Sequence, residues 1–144
     1  MKRVAIDSSV IIAILKGECN AEAWTLRLRE LAETGTLLIS SVALAEVRGI
    51  CASDEECMTQ LRKLKVRHSL MNKHAAMLAG EIFKQYRGAG GPRLKILADF
   101  LIAGHAKSRA DALATTDHGF SRTCFPSIRL IDVADELSEE DSKL

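Results

Sequence analysis

At 144 residues, 47% of them hydrophobic, the chain is long enough to bury one core without disulfide or metal staples. Its formal net charge is +1, so no whole-molecule field draws it towards nucleic acid, and any such contact must be local. No run of about 18 apolar residues is present, and the N-terminus leads into a strand pattern rather than a signal peptide, so the expected location is the cytoplasm, with no membrane contact.

Val4-Ala5-Ile6 is the apolar heart of a strand over Lys2–Ile6, which delivers Asp7 to the strand's C-terminal end ahead of Ser8-Ser9 and a helix over 10–15. Asn20 is placed to cap a helix over 21–33, and Gly35 stands just past its end. A second strand over 36–39 runs into Ser40-Ser41, caps for a helix over 42–51. Glu46 sits in that helix, one turn or about 5 Å beyond the strand end. Asp54 is expected to cap a helix over 55–64, followed by a strand over 66–70, and Asn72 a helix over 73–86 that stops at Gly88. The Gly-rich turn 88–92 then opens a helix over 95–109 with Asp99 in an early turn. Residues 112–115 read as a strand with Asp117 directly after it and His118-Gly119 as the turn, and 128–131 as the last strand.

Strands separated by helices imply an α/β fold, a three-layer sandwich with a central parallel sheet of four or five strands flanked by helices. One domain is expected over 1–137, followed by an acidic tail over 138–144. Cys19, Cys51, Cys57 and Cys124 form no CxxC pair and have no histidine placed to complete a zinc site, so they read as reduced thiols. The amphipathic stretches around Trp24, Leu28 and Leu31, and around Met58 and Leu61, are expected to face the core rather than a partner.

Taken singly, each of the four acids has an ordinary use. Asp7 fits a helix cap, Asp117 a turn, and Glu46 a solvent-facing partner of Arg48, whereas Asp99, among Ala98, Phe100, Leu101, Ile102 and Ala103, is a carboxylate in apolar company that needs a partner. Together they share one sheet edge, the edge where open α/β sheets bind ligands. Two carboxylates about 6 Å apart at an effective dielectric near 20 repel by roughly 3 kcal/mol. Such a group either takes up protons or is neutralised by a divalent cation, and all-oxygen donors suit Mg²⁺ or Mn²⁺. Ser9 and Thr115 are placed to orient the acids, while Ser8 and Thr116 read as local caps. Arg93 and Lys95, with Arg87 nearby, stand in the loop leading to Asp99 and are the candidates to meet a phosphate. Such a site suits phosphodiester hydrolysis. No P-loop, no GxGxxG and no Ser or Cys nucleophile with a base is present. His105 reads as a core residue, and His118 beside Asp117 as a possible acid or base.

The motifs Ile6-Asp7-Ser8-Ser9, Ser40-Ser41-Val42-Ala43-Leu44-Ala45-Glu46-Val47, Ala98-Asp99-Phe100-Leu101-Ile102-Ala103-Gly104-His105-Ala106 and Leu113-Ala114-Thr115-Thr116-Asp117-His118-Gly119-Phe120 occur in that order. In this the chain resembles the PIN domain family, and within it the VapC-like ribonuclease toxins of toxin–antitoxin pairs. The resemblance implies a metal-dependent endoribonuclease with Asp7, Glu46, Asp99 and Asp117 as ligands of Mg²⁺ or Mn²⁺ and Ser9 and Thr115 in support. It also implies an RNA substrate, a homodimer and a cognate antitoxin. Two alternatives stay open: a PIN nuclease of RNA processing without an antitoxin, and a catalytically inactive PIN binding module. Small residues at Ala103 and Gly104 are expected to let their helix approach the sheet. Phe100 departs from the family by its bulk, which is expected to alter the pocket.

Overall fold

A computed structural model describes residues 2–92 and 95–133. Arg93 and the acidic tail over 138–144 lie outside the described residues. The elements run β1 (Lys2–Ile6), α1 (Ser8–Leu15), α2 (Ala21–Thr34), β2 (Gly35–Ser40), α3 (Ser41–Arg48), α4 (Asp54–Lys63), β3 (Val66–Ser69), α5 (Lys73–Gly88), α6 (Leu97–Arg109), β4 (Ala112–Ala114), α7 (His118–Cys124) and β5 (Arg129–Ile131). The five strands form one sheet in the order β3-β2-β1-β4-β5, with every pairing parallel.

Period-two alternation sorts the strand side chains into two faces. Val4, Ile6, Leu37, Ile39, Val66, Ala112, Ala114 and Ile131 join the larger apolar cluster, with Trp24, Leu28 and Leu31 of α2 and Leu61 of α4. Ala5 and Leu113 point the other way and pack on Ala106 of α6. The sheet is thus the middle layer of three, as the order of elements predicts.

The chain winds from β1 outward to β2 and β3, then returns through α5 and α6 to lay β4 on the opposite side of β1. That reversal is a topological switch point between β1 and β4, where diverging connections leave a crevice outside the strand C-termini. Ile6 pairs with Ala114, and the Asp7 amide donates to the Ala114 carbonyl at 2.9 Å. Asp7 and Thr115 therefore open side by side onto that crevice.

Three local readings are corrected. Ser53, not Asp54, caps α4, its hydroxyl accepting from the Glu56 amide at 3.0 Å, while Asp54 takes a hydrogen bond from Arg48 Nε at 2.6 Å. The expected turn at His118-Gly119 begins α7, with the Asp117 carboxylate accepting from the Phe120 amide at 3.3 Å. Gly119 and Thr123 give this segment weak helix propensity, and burial of Phe125 and the packing of Phe120 on Phe100 compensate. Gly104 faces α5 rather than the sheet: a Cβ there would lie 2.8 Å from the Ala75 carbonyl oxygen and 3.1 Å from Ala79 Cβ. The missing side chain sets how closely α6 lies on α5, and so where α6 carries Asp99. Asn72 caps α5 as expected, accepting from the Ala75 amide at 2.7 Å.

Candidate metal centre

Asp7 is the N-cap residue of α1, yet its carboxylate makes no capping hydrogen bond. Its Oδ2 instead accepts from Ser9 Oγ at 2.7 Å and from Thr115 Oγ1 at 2.8 Å. The Thr115 hydroxyl also accepts from the Asp117 amide at 3.0 Å, and Ser9 Oγ from the Thr116 amide at 3.3 Å, so the two hydroxyls tie the ends of β1 and β4 into one network. Burial pushes the Asp7 carboxyl above its ordinary value; the two hydroxyl bonds oppose this, and the charge of Asp99 adds to it.

Glu46 faces the same network. Ser8 Oγ donates to its Oε1 at 3.0 Å, and burial, reinforced by the charges of Asp7 and Asp99, raises its carboxyl as well. Ser8 and Ser9 stand about 100° apart on a helix, so one hydroxyl reaches Glu46 and the other Asp7. Sequence reasoning read Ser8 as a cap and missed this role; the serine doublet directly after the acid was the available signal.

Asp99 lies in the first turn of α6 and accepts from the Ile96 amide at 3.0 Å. It lines a small recess with Asp7, Thr115, Asp117, Phe120 and Ser121. Phe100 does not line the recess. It is fully buried, with ring centroids 5.0 Å from both Phe83 and Phe120, so its bulk reaches the recess through neighbours such as Phe120 and Ala103.

Lys95 pairs with the Asp117 carboxylate. Burial alone raises an acid, but the hydrogen bonds from Lys95 and the Phe120 amide, together with the Lys95 charge, outweigh it and hold Asp117 below its ordinary value. Burial likewise opposes the Lys95 charge, while Asp117, Asp99 and Asp7 together raise the ammonium's pKa above its ordinary value. Lys95, expected from the sequence to meet a phosphate, is here engaged by one of the acids.

Neither His105 nor His118 lines the recess. His118 Nε2 donates to the Thr115 carbonyl at 2.9 Å and stands 3.5 Å from Asp132, clamping the end of β4 to the end of β5. His105 is buried with Nε2 3.0 Å from Ser69 Oγ, and burial, then the charge of Arg109, lowers its pKa. Arg48 is engaged by Asp54 and leaves Glu46 to the cluster.

The donors are all oxygen, which matches a hard divalent cation, and Asp7 and Glu46, each raised in part by neighbouring carboxylates, would be relieved by one. In this arrangement, among the described residues, no three Asp, Glu, His or Cys side chains are positioned to hold one metal ion together. One oxygen of Asp7 is engaged by two hydroxyls, one of Asp99 by the Ile96 amide and one of Asp117 by Lys95. Joint ligation therefore needs rearrangement, most directly release of Asp117 from Lys95.

An all-parallel sheet with an acidic recess at its switch point defines a small α/β domain built to gather carboxylates. The PIN domain family model matches residues 4–126. The chain belongs to the PIN domain family. Similar solved structures include VapBC2 from Rickettsia felis bound to a promoter DNA fragment, with a TM-score of 0.68 at 21% identity over 90% of this chain and 98% of that one. DNA-bound VapBC from Salmonella typhimurium gives 0.66 at 23% identity over 93% and 100%. Mycobacterium tuberculosis VapC20, a sarcin-ricin loop cleaving toxin, gives 0.58 at 14% identity over 88% and 98%. At these identities the likenesses carry the fold. A comparison with curated protein sequences finds no match.

Proposed function

We propose that this PIN domain is a metal-dependent endoribonuclease, the toxin of a toxin–antitoxin pair acting in the cytoplasm. The observation that carries the reading is the convergence of Asp7, Asp99 and Asp117 on one switch-point recess, with Glu46 near enough to feel the charges of Asp7 and Asp99. Asp7, Glu46, Asp99 and Asp117 would hold Mg²⁺ or Mn²⁺. Such an ion, when bound, supplies Lewis acidity towards a phosphodiester and makes water more acidic.

The chain's own contribution is orientation. Ser9 and Thr115 fix the Asp7 carboxylate, Ser8 fixes Glu46, and the α5–α6 packing fixes the helix carrying Asp99. Arg93 and Lys95 are proposed to meet the RNA backbone as it enters, Lys95 after leaving Asp117. With a net charge of +1 and an acidic recess, RNA affinity should be modest and fall with salt.

VapC20 supports the cleaving activity, and the VapBC structures support an antitoxin as partner; a homodimer is proposed on the family resemblance. No helix of the described residues is long and apolar enough to cross a membrane. A catalytically inactive binding module is the competing reading, favoured by the Lys95–Asp117 pair and the acids' present separation.

Incubation with a mixture of structured RNAs in Mg²⁺, Mn²⁺ or chelator, beside Asp99→Asn, decides between them. Cleavage that needs both the ion and Asp99 is expected. Cleavage that survives the chelator or the substitution overturns the metal mechanism, and RNA binding without cleavage in any condition favours the binding module.

A further inference from the structure

We infer that Lys95 is an internal counter-cation of the acidic recess, one that a divalent ion must displace from Asp117 in order to bind. The inference rests on the reading of the acids as a divalent site, and it begins from the dipeptide Lys95-Ile96. That dipeptide engages two of the four acids at once: the Lys95 ammonium bonds Asp117 Oδ2, and the Ile96 amide bonds Asp99 Oδ2. The ammonium also lies 5.2 Å from the Phe120 ring centroid, a cation–π distance, and Phe120 lines the recess. Its side chain is only 28% exposed, so the charge is withdrawn from solvent towards the acids.

The electrostatics give this contact a purpose. Asp99 and Asp7 also act on Lys95, less than Asp117 does, so the ammonium is bonded to one carboxylate and attracted by two more. It offsets one unit of charge where a divalent ion offsets two. The ion is therefore the better counter-charge, while Lys95 is always present at high effective concentration. The two compete for Asp117. Metal affinity is thereby set lower than the carboxylates alone would set it.

The test is calorimetric titration of Mn²⁺ into the full chain in about 0.15 M salt, where exposed charges are screened beyond roughly 8 Å. Wild type, Lys95→Gln, Lys95→Arg and Asp99→Asn are compared, with melting in chelator as a second readout. Lys95→Gln should bind Mn²⁺ at least about tenfold more tightly, a change of about 1.4 kcal/mol, and melt lower in chelator. Lys95→Arg, which keeps the charge, should stay within about threefold of wild type by the same scale. Phe120→Leu should shift affinity in the same direction by less, and it decides the matter if Lys95→Gln does not fold. Unchanged or weaker binding in Lys95→Gln, with binding lost in Asp99→Asn, overturns the role of Lys95 and leaves the metal site standing. Wild-type affinity in Asp99→Asn, or no Mn²⁺ binding in any variant, overturns the metal site and the inference with it.

Discussion

Gly104→Ala and Gly80→Ala place the same substitution in two neighbouring helices, and the structure predicts opposite signs. Alanine is favoured over glycine in a helix interior by about 0.8–1.0 kcal/mol. At Gly80, on α5, a new Cβ meets nothing within 4 Å, so the full propensity gain should appear. At Gly104 the Cβ would stand 2.8 Å from the Ala75 carbonyl oxygen and 3.1 Å from Ala79 Cβ, and the closest atom belongs to the backbone of α5, which cannot step aside as a side chain can. Overpacking of this kind costs about 1–3 kcal/mol, and against the propensity gain the net is a loss of about 1–2 kcal/mol in the upper part of that range. For 144 residues, 1 kcal/mol moves the melting midpoint by about 3 °C. Thermal unfolding should therefore show Gly80→Ala rising by about 3 °C and Gly104→Ala falling by about 3–6 °C. Gly104 lies on the helix that bears Asp99, so the second variant should also weaken Mn²⁺ binding. Equal rises in both melting points would refute the close α5–α6 contact and the claim that it places Asp99.

The remaining expectations concern the recess and its support. Asp7 and Glu46 are raised by burial above ordinary values of 3.8 and 4.5, so the native state holds their protons more tightly than the unfolded chain. Stability in chelator should accordingly fall as pH rises from those values through the raised ones, and Mn²⁺ should flatten the fall. Asp117, depressed by Lys95 against the opposing effect of burial, acts in the other sense: its contribution is present above 3.8 and is lost as pH drops through its lowered value. A melting temperature that climbs steadily from pH 4 to 8 in chelator would contradict the raised pair. Thr115→Val keeps the shape but removes the hydroxyl shared by Asp7 and the Asp117 amide, and chemical denaturation should show a loss of about 1–3 kcal/mol; a change within error would mean that the network is redundant. Phe100→Ala should cost about 3–5 kcal/mol by the same measurement, since the ring is fully buried against Phe83, Tyr86 and Phe120; a much smaller loss would mean that the aromatic cluster is loosely packed.

Much of this protein is determined locally. Val4-Ala5-Ile6 and Ala112-Leu113-Ala114 are short buried runs that form strands, Asn72 and Ser40 cap the helices they precede, and Asp7, Asp117 and the helix of Glu46 each follow directly on a strand, while the helix of Asp99 leads into β4. Alternating strands and helices restrict the chain to a parallel sheet, so the gathering of Asp7, Glu46, Asp99 and Asp117 at one edge follows from residue order. Propensity failed at α7, where a weak helix former is held by Phe125 and by aromatic contacts that no window of sequence contains.

Apart from Ser9 and Asp7, two positions apart, the particular pairings inside the site were decided by tertiary structure. Thr115 reaches Asp7 across 108 positions, Ser8 reaches Glu46 across 38, and Lys95 reaches Asp117 across 22. Spacing in the chain cannot choose which hydroxyl or ammonium meets which acid, because that depends on the relative setting of helices packed on different strands. For the same reason Gly104 reads as a small residue facing the sheet until α5 is seen against it. Residue order brings the four acids to one edge, and the packing of α1, α3 and α6 around β1 and β4 determines how far each is buried, what holds it, and which of them meets a counter-charge.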